Sequence, residues 1–261
     1  MTAQWNWRHS VLVGLLGCGV IVPWFIDPVP QDSSYHRFAD TTAFFGIHNF
    51  VNVATNSLFI LVGILGFLAS RAKGFALESA DMRLAYHVFF LGVGFVGLGS
   101  AYYHVNPNNA TLVWDRLPMT VSFMALFAMI IADTVSPKIG TVLLWPLIGI
   151  GAGSVGYWYV TEMWEMGDLR PYGLVQFLPM LLIPMMLGLF GTRSMRSPFL
   201  WAILGTYLLA KIVEFFDAEI HSITGIISGH SLKHVIAALA TAWVIWACQK
   251  REVKLPHSTN P

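Results

Sequence analysis

Apolar residues run along this chain in long blocks separated by short polar breaks. They do not alternate with polar ones as they would in a half-buried strand. Eight blocks stand out, at about 10–26, 47–69, 84–105, 113–134, 140–160, 172–191, 198–217 and 230–248. Each is close to the roughly 20 apolar residues a helix needs to cross the hydrocarbon core. They are too long and too continuous for barrel strands, which alternate in polarity over about ten residues. The pattern predicts an all-α integral membrane protein. Most connections are short, so neighbouring helices are expected to pack antiparallel in one bundle. No internal repeat and no second bundle are evident.

Composition agrees with that reading. Of 261 residues, 56% are hydrophobic and 11% charged, where a soluble domain carries about a quarter charged residues. The net charge of +1 gives no reason to expect nucleic acid. Cys18 and Cys248 lack metal-type spacing and are read as small hydrophobes without a disulfide. Lys and Arg outside the blocks divide ten to three, the three being Arg37, Arg116 and Arg170; Lys211 and Lys233 fall inside blocks. Positive charge collects on the cytoplasmic side. Both termini are therefore expected in the cytoplasm, with loops 27–46, 106–112, 161–171 and 218–229 external. The first block follows Arg8 as a signal peptide would, but VPWFIDPVP offers no small-x-small cleavage site, so an uncleaved helix is expected. The tail after Lys250 reads as charged and disordered.

Ionisable side chains inside a span are costly and mark function. Here they gather at one depth. The third block runs outward and ends GLGSAYYHV, with Ser100 and His104 four residues apart and so on one helix face. The fourth starts outside with LVWDRLPM, setting Asp115 near its outer end. The eighth starts with GHSLKH, setting His230 and His234 one turn apart. Taken alone, that pair reads equally well as two histidines bridging helices. With His104 from another helix it becomes a tris-histidine set. Three protein ligands and an open fourth position are the pattern of catalytic zinc, which lowers the pKa of its water to about 7. Other divalent metals also suit such a set. Asp115 is placed to act as general base and then as acid to the leaving group. Ser100 is placed to hydrogen-bond the oxyanion, the water or Asp115.

The remaining polar residues have plainer expectations. Lys211 and Glu214 are three apart and read as an ion pair, while Glu214 or Asp217 is an alternative partner for a metal-bound histidine. His48 and His87 read as hydrogen-bonded structural residues. Asp133, at an inner helix end, and the loop WEMGDLRPYG read as solvated. Trp158, Trp164 and Tyr172 read as an interfacial aromatic belt, and MLLIPMMLGLF as packing.

The motifs together resemble those of the alkaline ceramidases. In that family a Ser is followed by His four residues later, then Asp eleven after the His, then x-Leu-Pro-Met; here these are Ser100, His104, Asp115 and Leu117-Pro118-Met119. GHSLKH matches the final His-x-x-x-His, and NFVNVATNSLFILVGILG resembles the first core helix, with Asn52 and Asn56 in register. The resemblance runs from about residue 36 to 248. It places the chain in a superfamily of seven-helix membrane hydrolases that includes the progestin and adiponectin receptors. It implies a seven-helix core at 47–249, preceded by one additional transmembrane helix and an external loop at 1–46 and followed by a short cytoplasmic tail at 250–261. It implies one zinc ion on His104, His230 and His234, with Ser100 and Asp115 in the catalytic site. The implied reaction cleaves the amide of a ceramide-like N-acyl lipid to a sphingoid base and a fatty acid. The extra first helix is closer to the bacterial branch, which implies a bacterial inner membrane with the zinc site near the periplasmic face. Eukaryotic members also hold calcium through a Glu on the first core helix. Asn49 stands there in this chain, and the spacing of Asp27, Asp32 and Asp40 does not reproduce the rest, so calcium is not favoured.

The expected partner is therefore a membrane lipid, with no obligate protein partner. A different class of function stays open: a receptor or sensor with a structural zinc, which would need a fourth protein ligand, Asp115 first. An ion transporter fits less well, because such proteins show repeats and broken helices near the midplane.

Overall fold

The computed structural model describes residues 6–77 and 80–249. The tail at 250–261, with Lys250, Arg251 and Lys254, lies outside them. The described chain is helical throughout: α1 (Trp7–Ile21), α2 (Phe50–Thr55), α3 (Ser57–Ala69), α4 (Ala80–Val105), α5 (Asn109–Thr134), α6 (Pro137–Met163), α7 (Arg170–Phe190), α8 (Ser197–Phe215), α9 (Asp217–Thr224) and α10 (Gly229–Ala247). Among the described residues seven helical segments are long and apolar enough to span a membrane, and eight if α9 and α10 count as one span bent by 105°. The all-helical, multi-pass architecture follows the pattern of apolar blocks.

Local chemistry sets where the helices begin. Asn108 accepts hydrogen bonds from the backbone N–H groups of Ala110 and Thr111, and the Thr111 hydroxyl returns one from Asn108, a reciprocal cap that starts α5. Ser136 caps α6 with Pro137 at its first position, and Ser228 caps α10. Gly225, at φ 67°, ends α9 in the left-handed conformation that glycine adopts without strain. The block at 47–69 is divided: α2 stops at Thr55 and α3 restarts at Ser57, and Asn56 between them is fully buried. The 218–229 segment, expected as a loop, contains α9. Its polar sequence DAEIHSIT gives no apolar block, yet it forms two helical turns lying across the start of α10.

Helices α3, α4, α5, α7, α8 and α10 close a ring. α6 packs on α5 and α7, and α1 packs on α7. The two long central helices meet very closely. A Cβ at Gly99 of α4 would collide with the Trp114 carbonyl of α5, and one at Gly92 would meet Ser122. Small residues at such crossings let backbones approach in a membrane, where packing rather than water drives association. The apolar core fills the inner half of the ring, around Phe90, Met129, Ile183 and Leu200. α1 has no buried residue.

Three expectations for polar residues are corrected here. Asp133 is buried, not solvated: its carboxylate accepts from the backbone N–H of Arg193, Ser194 and Met195 and from the Ser194 hydroxyl, and so folds the α7–α8 loop under α5. Asp168 is likewise buried, in a two-pronged pair with Arg170. That guanidinium holds the carboxyl below the usual carboxylate range. Of the three residues read as an aromatic belt, Trp164 is exposed, but Trp158 and Tyr172 are interior. They stack on the Arg116 guanidinium, 4.2 and 4.6 Å from their ring centroids. His87 is hydrogen-bonded to the Ser70 hydroxyl, as a structural histidine should be. Both cysteines are free, Cys248 buried and Cys18 exposed on α1.

Candidate functional site

His104 ends α4, and His230 and His234 occupy the first turns of α10. The 105° bend after α9 starts α10 at the level of the last turn of α4, which brings the three imidazoles together. One nitrogen from each lies within 4.8 Å of the other two, and the ring centroids are 4.9–5.0 Å apart. All three residues are buried. His104 Nδ1 and His230 Nε2 have no hydrogen-bond partner among the described residues. A buried nitrogen without a partner costs on the order of 1–3 kcal/mol. Three imidazoles that can each offer a nitrogen within 4.8 Å of the others are a donor set that suits a divalent metal ion, so the residues present fit such an ion.

The surrounding contacts aim the rings. The Thr55 hydroxyl lies 3.0 Å from His234 Nδ1 and 2.8 Å from the Val51 carbonyl. With its proton given to that carbonyl, the oxygen accepts from Nδ1–H of His234, which leaves the Nε2 lone pair free. Asn49 donates to the His104 carbonyl at 2.9 Å. Asp217 receives the His230 backbone N–H at 2.7 Å and the Ala39 N–H at 3.0 Å. Asp217 therefore ties the start of α10 to the segment around Ala39 through backbone N–H groups, and not to a histidine ring. From that segment Phe38 is buried against the site, its ring 4.7 Å from His104 and 4.6 Å from His230.

Beside the histidines lies a cavity of about 350 Å³ enclosed by the helical ring. His234, Ser100 and Asp115 line its outer end, and Phe89, Leu126 and Val244 carry it into the apolar interior. Ser100, one residue past the Gly99 contact, faces the Asp115 carboxylate across the α4–α5 crossing. Asp115 is not part of the mutually close donor group, which consists of the three histidines among the described residues. The α7–α8 side of the wall is the least packed part of the ring, bridged by a hydrogen bond from Gln176 to the Tyr207 hydroxyl at 3.1 Å.

The five residues singled out by sequence thus share one region. Others were missed. Lys233 and Arg116 also line the cavity. Lys233 lay inside a span, which was a usable signal; Arg116 was counted as a loop charge. Thr55 and Phe38 carried no signal, being ordinary residues until the fold sets them against histidines. Glu214 pairs with Lys211 at 2.5 Å, as its spacing suggested, and its other oxygen pairs with Lys233.

Comparison with curated proteins finds no match. A family model described as ceramidase matches residues 43–248. That span takes in α2 to α10, all three histidines, Ser100 and Asp115, and leaves α1 outside. By this match the chain belongs to the ceramidase family, whose reaction is hydrolysis of the amide bond of ceramide.

Proposed function

We propose that this protein is a zinc-dependent amidohydrolase that works inside the membrane on ceramide-like N-acyl lipids and releases a sphingoid base and a fatty acid. The observation that carries the reading is the juxtaposition of three buried histidines, two with unpartnered nitrogens, and an apolar cavity with a carboxylate at its outer end. His104, His230 and His234 would hold the ion. When bound, zinc supplies Lewis acidity and brings water to a pKa of about 7.

The remaining roles fall to this chain's own groups. Asp115 takes the proton from the attacking water and returns it to the amide nitrogen as the C–N bond breaks. Ser100 hydrogen-bonds the developing oxyanion or fixes the Asp115 carboxylate. The cavity takes the hydrocarbon chains, and its apolar walls keep bulk water from the scissile amide. Entry from the bilayer is easiest between α7 and α8, where the Gln176–Tyr207 hydrogen bond is the main polar tie. The charge bias along the sequence supports cytoplasmic termini and a site near the external, periplasmic face of a bacterial inner membrane. The match from residue 43 supports a seven-helix catalytic core with α1 as an appendage.

The receptor-like alternative needs Asp115 as a fourth ligand. The described donor group contains the three histidines without it, which favours catalysis. The test is hydrolysis of a panel of labelled ceramides and other N-acyl lipids by purified protein in detergent, with metal content measured on the same sample. Fatty-acid release that is lost in metal-stripped protein, restored by zinc and absent in His230→Ala supports the reading. Zinc-replete protein that cleaves nothing in the panel overturns it.

A further inference from the structure

The cavity holds more charge than amide hydrolysis requires. Lys211 and Glu214 on α8 and Lys233 on α10 meet at its wall, where the two ammonium groups share one carboxylate: Lys211 on Oε2 at 2.5 Å and Lys233 on Oε1. Arg116, on α5 and stacked on Trp158 and Tyr172, is a third cation lining the same cavity. It is only 5% exposed, and while its Nη2 donates to the Gln31 side chain at 2.5 Å, its Nη1 has no hydrogen-bond partner. The acids lining the cavity are Asp115 and Glu214, two anions to the three cations. An unmatched positive charge in a low-dielectric pocket is costly unless a ligand balances it. The head of a plain ceramide carries hydroxyls and no charge, and so does not balance it.

We propose that Lys211, Lys233 and Arg116 form a carboxylate-receiving subsite beside the scissile amide. The inference rests on the amidase reading and narrows it: the preferred N-acyl lipid carries an acidic group on its head. Glu214 has a positioning role, since it holds the two ammonium groups against the cavity and leaves each with unused N–H donors. The same chemistry is also available from the fatty carboxylate that hydrolysis releases, and the two sources are separable by experiment.

The probes are N-palmitoylglycine and N-palmitoylethanolamine, which differ in the carboxylate, together with palmitate as a ligand. The proteins are wild type, Lys211→Gln and Lys211→Arg, all zinc-loaded; Lys211 is the most exposed member of the cluster, so its replacement spares the fold. If the head is recognised, wild type prefers N-palmitoylglycine in kcat/KM by roughly tenfold or more, the gain expected from one added charge contact in a partly buried site. Lys211→Gln then loses that preference in the ratio of the two kcat/KM values, and Lys211→Arg keeps it. If the released acid is recognised instead, the substrates are cleaved alike, and Lys211→Gln weakens palmitate binding by a similar factor. Equal cleavage of the two lipids together with palmitate binding unchanged by Lys211→Gln overturns the subsite. Should neither lipid be cleaved by any variant, the ceramide panel decides the amidase reading separately, and the palmitate titration still decides whether the anion subsite exists.

Discussion

The two ends of the bundle bury polar groups in opposite ways. At the end of the bundle away from the histidines Asp133 is surrounded by donors that use its carboxylate fully: three backbone N–H groups and the Ser194 hydroxyl. At the histidine end His104 and His230 each keep a buried nitrogen without a partner among the described residues. Both ends are costly to desolvate. Asp133 recovers that cost from the protein, and the histidines are a donor group that suits a metal ion. The contrast lies in the donor type as well as the missing partners, since the Tyr86 hydroxyl and the Trp243 indole N–H are buried without partners among the described residues too. Residue type alone does not make this distinction, because an aspartate in a membrane helix suggests function as strongly as a histidine does.

Substitutions at the two ends should therefore separate activity from stability. The largest effect on turnover is expected from His230→Ala, which removes a metal ligand: metal content and hydrolysis fall to background while the unfolding temperature in detergent, measured without metal, stays near that of wild type. Next is Asp115→Asn, which should keep the metal and lower kcat by about 10²–10⁴-fold, the usual span for a lost general base. Normal turnover in that variant would remove Asp115 from the mechanism. Thr55→Val should weaken metal affinity by roughly 10–100-fold, the effect of removing the group that orients a ligating histidine; competition with a chelator reads this directly. The smallest effect on catalysis belongs to the Asp133 end. Asp133→Ala should cost about 3 kcal/mol of stability through the donors it strands, yet the folded fraction should keep wild-type metal content and specific activity. A stable, inactive Asp133→Ala would break the contrast.

Much of this was legible in the sequence, for identifiable reasons. Hydropathy finds spans because backbone groups in lipid must be satisfied within the helix, and the blocks agree with α2 and α3 taken together, with α4 to α8 and with α10 to within a few residues. Helical periodicity put Ser100 beside His104 and His230 beside His234, and the charge break before each helix fixed their common depth. What stayed hidden depends on contacts across the chain. α9 is polar and short, and becomes helical where Asp217 ties it to His230 and Ala39. Arg116 looks like an interfacial charge until Trp158 and Tyr172 close over it. Asp133 looked solvated because its partners lie about sixty positions downstream, in the loop after α7. Hydropathy likewise gives α1 and α5 similar standing as spans, yet the first is wholly peripheral and the second is 72% buried along its apolar window.

The Gly99 contact has a consequence for how damage to this protein would present itself. Ser100 and Asp115 face each other because nothing but a hydrogen stands between α4 and the Trp114 carbonyl. The separation of Ser100 and Asp115 is thus inherited from a residue with no functional group at all. A single methyl at position 99 pushes the helices apart just where the site is assembled, and a genetic screen would score that lesion as the loss of a catalytic residue. The chemistry of this site can be erased without altering any residue that performs it.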